Sequence, residues 1–329
     1  MDRRLKLLIF SGFLLVLAVI GLAVYSRLSA VPASALLLPE GNLLIYADLR
    51  PLHLFDSGKD APPARLDPEY REFIEQTGFN FERDLDEAAI SQKFPGADPD
   101  SESSALFSGR FDAGRLSAWL QKASSTAENY ADKKIFSIPH AGHTVRVCIL
   151  DSESVAVTNM ASAEPMRGII DRFRNPKLAG PGPYLLQNYY SRVPAASLAW
   201  MIYRPAQSGT SQTMLPGGFG FGLPGNTTSV ISLRYSGSVT LKAEIFSTDE
   251  ASARDLADSA ATFLAAYRGA SEGHKGTDRN LNAAIDSIQI GHEGSRTVLT
   301  ATLTKELVKK VWQEAGRPEV PEPQAKPRP

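Results

Sequence analysis

Cysteine is nearly absent from this chain of 329 residues, which holds one, Cys148. A single thiol excludes an intrachain disulfide and a cysteine-rich zinc site, so the fold has to rest on its core. An excess of one charge is lacking too. The 35 basic and 36 acidic residues leave a formal net charge of −1, which excludes the basic footprint of a nucleic-acid binder. Ser-x-x-Lys does not occur, which removes one familiar serine-nucleophile signature. Long hydrophobic runs are missing as well, with one exception.

That exception is LLIFSGFLLVLAVIGLAVY, residues 7–25, which carries no charge. At 1.5 Å per residue a helix over this stretch reaches about 28 Å, close to the thickness of a hydrocarbon core. Arg3, Arg4 and Lys6 precede it and predict a cytoplasmic N-terminus, with the body outside the cytoplasm, in the periplasm of a diderm cell. Two readings stand. A cleaved signal peptide has a shorter apolar region and a small-x-small site, for which Ala33-Ser34-Ala35 is the best match. An uncleaved signal anchor fits the length better and is favoured. Cys148 is too far from the N-terminus to carry a lipoprotein lipid.

The expected organisation is a cytoplasmic stub and anchor over 1–27 and a linker over 28–42. A first α+β half over 43–205 follows, then a Gly-rich connector over 206–227 and a second half over 228–316. A disordered tail over 317–329 completes the chain. The stretch GRPEVPEPQAKPRP, residues 316–329, contains five prolines and no apolar period, as expected of an extended, unfolded segment. The halves are recognised by a recurring unit: one or two strands, a capping residue, then an amphipathic helix. The caps are Asp112, Ser162, Thr248 or Asp249, and Thr304, with Asp67-Pro68 opening a further helix. Gly78, Gly269 and Gly316 are the expected stops. In SVTLKAEIF, Val239, Leu241, Ala243 and Ile245 alternate with Thr240, Lys242 and Glu244, predicting one buried and one wetter face. The fold class is therefore α+β, with antiparallel sheets, amphipathic helices on one face and two similar halves.

Four features invite chemistry. His140 and His143 form a His-x-x-His pair at a glycine turn, without a Glu or Cys beside them to complete a metal shell, and read as hairpin residues. Cys148 lies mid-strand and reads as a small buried hydrophobe. Glu82, Asp84, Asp86 and Glu87 cluster in FNFERDLDEAAI but lack a calcium-loop pattern, and read as a solvated turn before a strand at Ala88-Ala89-Ile90. In MLPGGFGFGLPGN, residues 214–226, the glycines lack the spacing and the following helix that a phosphate cradle needs. That loop is either a connector between the halves or an apolar tip of Met214, Leu215, Phe219, Phe221 and Leu223 that docks on a partner or a lipid surface. No catalytic residue, cofactor or metal is assigned.

The stretches LLPEGNLLIYADLRPL and FIEQTGFNFERDLDEAAI resemble uncharacterised signal-anchored bacterial envelope proteins, through Leu38, Pro39, Thr77, Gly78, Phe79, Asp84, Leu85 and Asp86. The resemblance covers the first third of the body, implies an envelope location and adds no activity. The expected role is a membrane-anchored extracytoplasmic binding, assembly or scaffolding module with an envelope protein as partner. The alternatives are an envelope enzyme such as a hydrolase, whose site forms only in the fold, and a carrier of a hydrophobic ligand between the halves.

Overall fold

Alternation of apolar and polar residues, together with near-continuous apolar runs such as Leu43–Ala47, makes this a strand-forming chain. The computed structural model describes residues 28–51, 68–94, 102–140, 142–180, 182–205, 211–215, 219–223, 226–272, 279–304 and 306–307. The anchor at 7–25, the cap Asp67, the Thr304-capped helix beyond Leu307, its stop Gly316 and the proline tail lie outside the described residues. Among those described, no helix is long and apolar enough to cross a membrane.

In chain order the elements are α1 (Ala33–Leu36), β1 (Leu43–Asp48), α2 (Pro68–Thr77), α3 (Phe81–Asp84), β2 (Leu85–Lys93), β3 (Glu102–Gly109), α4 (Ala113–Ala123), β4 (Thr126–Tyr130), β5 (Lys133–His140), β6 (His143–Ile149) and β7 (Ser154–Thr158). Then come α5 (Glu164–Arg174), α6 (Pro176–Ala179), α7 (Tyr184–Tyr189), β8 (Ser197–Tyr203), β9 (Ser211–Leu215), β10 (Phe219–Leu223), β11 (Thr228–Tyr235) and β12 (Val239–Phe246). Last are α8 (Glu250–Glu272), α9 (Arg279–Asp286), β13 (Gln289–Glu293) and β14 (Arg296–Leu303).

Among the described residues, twelve strands form one sheet in the order β13-β14-β12-β11-β8-β1-β2-β3-β7-β6-β5-β4, and β9 pairs with β10 as a separate ribbon. Their pairings are antiparallel. The mixed α+β class follows. The strands expected for two halves join edge to edge where Tyr203 of β8 meets Ser229 of β11.

Capping chemistry behaves as expected at several points. Asp112 accepts the Arg115 N–H at 3.0 Å, Asp249 accepts Ser252 N–H at 2.8 Å, and the Thr304 hydroxyl accepts Leu307 N–H at 3.2 Å. Ser162 accepts Glu164 N–H at 3.2 Å, one position ahead of the assigned cap. Gly78 takes φ +75° after α2, a left-handed conformation that glycine adopts without cost. Gly269, by contrast, does not stop α8, which runs on to Glu272. A glycine inside a helix costs only about 1 kcal/mol, and the alanine-rich sequence around it offsets that.

The helices are on both faces of the sheet, which corrects the single-face expectation. On the first face, Leu44, Tyr46, Ala89, Leu106, Ile135 and Cys148 pack with Ala35 of α1, Ile169 and Ile170 of α5 and Leu186 of α7. On the second, Phe136, Val147 and Val155 pack with Leu116 and Leu120 of α4. Adjacent residues such as Ile135 and Phe136 point to opposite faces, so strands that are apolar at both parities require cover on both sides.

Two further expectations change. The stretch 28–42 is no linker: Ala35 and Leu38 are buried, and burying a leucine side chain contributes about 1.5–3 kcal/mol. Glu244, assigned to a wetter face, is 2% exposed. It is held by Arg296 at 2.7 Å and Lys242 at 3.1 Å, as a buried carboxylate must be.

Candidate functional site

The two faces of the central sheet differ in a way that marks a surface. Register aligns Glu244, Val230, Ile202, Leu44, Ser91 and Ser104 across six strands on the first face, and every one of them is buried. One position along, on the second face, the same strands align Ala243, Ile231, Met201, Ile45, Ile90 and Ala105. The next row there is Leu241, Leu233, Ala199, Ala47, Ala88 and Phe107. Both rows are apolar throughout, and each of their residues is half-buried.

This strip crosses five interstrand steps, about 24 Å at the usual ~4.8 Å spacing. Helix α4 bounds it on one side, through Leu116 and Leu120 against Phe136 and Val147. On the other side, α8 is tied down where the Thr297 hydroxyl donates to the Ala253 carbonyl at 2.8 Å. This half-buried apolar strip is the candidate site. The sequence carries a signal for it. Leu43–Ala47 and Leu198–Tyr203 are continuous apolar runs, and such runs mark strands apolar on both faces.

The Gly-Phe stretch, expected as a connector loop, is the β9–β10 hairpin. Phe219 pairs with Leu215, Gly220 with Met214, Phe221 with Thr213 and Leu223 with Ser211. Glycine at alternate positions leaves the extended backbone free to pair. Whether the side chains of Met214, Leu215, Phe219, Phe221 and Leu223 are exposed lies outside the described residues. The roots of the hairpin are firmly placed. Arg204 N–H donates to the Asn42 carbonyl at 2.8 Å, and its guanidinium lies 5.8 Å from the centre of the Tyr184 ring. Tyr184 N–H donates to both Glu40 oxygens at 3.0 Å. On the return strand Thr227, Thr228 and Ser229 are all buried. These roots stand at the Tyr203 end of β8. At its other end the Ala196 N–H donates to the Leu28 carbonyl at 3.1 Å, about 20 Å away along a strand.

The residues considered for chemistry do not converge. His140 and His143 face each other across the β5–β6 turn, with Gly142 at φ +82°, as hairpin residues should. Asp84 precedes β2 at the opposite end of the sheet, where Leu85 pairs with Gly109. It is not solvated as expected. It is buried, accepts Asn80 N–H at 3.0 Å and pairs with Arg83 at 2.8 Å and Arg110 at 3.7 Å. The Arg83 hydrogen bond, ahead of the backbone contact, holds its carboxyl below the usual range despite burial. The strand begins at Leu85 rather than Ala88, because the short helical turn of α3, capped by Asn80 on Glu82 N–H at 2.8 Å, delivers the chain directly into it.

Cys148 is fully buried in the first-face core, and burial pushes its thiol up to about 11, far from a nucleophile's range. Among the described residues no group of three or more His, Cys, Asp or Glu could hold a metal. An open groove of about 370 Å³, lined by Pro39, Glu40, Lys93, Glu102, Met160 and Pro165 among others, lies near the hairpin roots. Glu40 is already engaged by Tyr184 there.

No family model matches the chain and no curated protein matches it. Three solved crystal forms of a protein called TP0453 are similar in the course of the chain. Form IV has 13% identity and a TM-score of 0.45 over 88% of this chain and 99% of that one. Form III has 9% identity and a TM-score of 0.43 over 87% and 99%. At such values the likeness carries no argument about function.

Proposed function

We propose that this chain is a membrane-anchored binding and assembly module of the cell envelope, without catalytic chemistry of its own. Its working surface is the half-buried apolar strip on the second face of the central sheet. The observation that carries the reading is the contrast between two aligned rows, Leu44–Ile202–Val230 and Ile45–Met201–Ile231, on the same three strands. The first is sealed by helices and the second is half open. Residues 7–25 hold the body beside the bilayer. The β9–β10 hairpin, rooted at the end of β8 away from Leu28, supplies a second contact for an envelope protein.

A second reading is a carrier of a hydrophobic ligand, and the length of the strip favours it. About 24 Å across the strands is room for an extended lipid chain, since one leaflet of a bilayer core is about 15 Å thick. A photo-crosslinking residue placed at Met201 or Ile231 of the full chain, in intact envelopes, separates the two. A protein adduct supports assembly and a lipid adduct supports the carrier. Absence of both, from both positions, sinks the strip as the working surface.

A further inference from the structure

Residues 28–38 have the composition of a spacer but the contacts of a core element. The Leu28 carbonyl accepts from Ala196 N–H at 3.1 Å, and the Ala30 carbonyl accepts from the Tyr190 hydroxyl at 2.8 Å. Ala35 and Leu38 are 0% and 2% exposed, while Val31 and Leu37 pack against the same cluster. Arg172 donates to the Leu37 carbonyl from Nε at 3.0 Å and Nη2 at 2.5 Å. A Cβ added at Gly182 would lie 3.0 Å from Leu36 Cδ2, so the turn leading into α7 also closes tightly on this stretch. Immediately beyond it, Ser91 donates to the Pro39 carbonyl at 2.9 Å. The stretch runs from the start of β8, at Leu28, to the start of β1, after Arg204 N–H meets the Asn42 carbonyl. With the residues up to Asn42, it therefore spans the length of β8.

From this we infer that the chain is not processed at Ala33-Ser34-Ala35: residues 28–38 are a rigid strut that welds the anchor to the body. The inference rests on the reading of 7–25 as the membrane segment. Cleavage after Ala35 would remove Leu28 to Ala35, and with them α1, the Leu28 and Ala30 hydrogen bonds and a fully buried core residue.

The test is the N-terminus of the full chain isolated from envelopes, read by intact mass and by carbonate extraction. The expected result is a chain still beginning at Met1 that resists extraction. A folded chain beginning at Leu36 overturns the inference. A chain that keeps Met1 but is freed by carbonate overturns the anchor reading beneath it, and the two failures are told apart by the mass. A second variant forces the issue: deleting Leu14–Ala18 shortens the apolar run into the signal-peptide range. If it is cut after Ala35, the product is expected to melt at least ~5 °C below wild type or to be degraded. A product cut there that melts with the wild type overturns the strut.

Discussion

The guanidinium of Arg172, on α5, donates two hydrogen bonds to the backbone carbonyl of Leu37, 135 residues earlier. Burial lowers the pKa of this arginine, against the pull of Asp171 and Glu40. The side chain thus joins the 28–38 stretch to the helix that seals the first face. Arg172→Ala removes both bonds and the stem that packs beside them, and is expected to cost about 2 kcal/mol. Arg172→Lys, which lacks the planar fork, should recover less than half of that. Chemical denaturation of the purified full chain checks both.

Glu244 is a second point where a charge is enclosed. Arg296 and Lys242 both contact it while they remain about one-third exposed. Glu244→Ala leaves two partly buried cations facing each other, and a loss of about 3 kcal/mol is expected. Arg296→Ala should cost less, because Lys242 still neutralises the carboxylate. If Arg296→Ala proves the costlier, the network is not centred on Glu244.

Asp84 links stability to pH. Its folded pKa is depressed, chiefly by Arg83, so the native state binds its proton more weakly than the unfolded chain does. The stabilisation is complete above the unfolded carboxylate pKa, about 3.9, and is lost as pH falls through the lower folded value. Asp84→Asn is expected to melt below wild type by a constant margin between pH 5 and 8. That margin should shrink below pH 4. A margin that widens on acidification refutes the assignment.

The strip and the hairpin separate binding from folding. Ile231→Ser on the half-buried strip should cost about 1–2 kcal/mol, yet remove most of the crosslinked adduct formed from Met201. Deleting residues 214–226 spares the sheet and should leave the melting temperature within a few degrees. Recovery of an envelope partner is expected to fall. Unchanged recovery in a crosslinking pull-down would remove the hairpin from the docking surface.

Cys148 gives a simple probe of the first-face core. With no exposure and a thiol raised to about 11, it should ignore a thiol reagent in the native protein and react fully in denaturant. Rapid native labelling would mean that the core around α5 opens readily.

Period and capping chemistry were legible in the sequence wherever the interaction is local. Asp112, Asp249, Thr304 and Gly78 act within four residues of where they stand, and hairpin turns such as His140–His143 close on themselves. The mixed α+β class follows from those local signals. What they could not reveal was contact between distant residues. That β8 meets β11, that Leu28–Leu38 is laid into the core, and that Glu244 is enclosed by Arg296 all depend on partners tens of residues away. The apolar strip is the clearest case: an alternating pattern says that a strand has two faces, and a continuous apolar run says that both avoid water. Which face is sealed by α1, α5 and α7, and which stays half open between α4 and α8, is decided by packing in the tertiary structure, where a helix can cover only the strands it reaches.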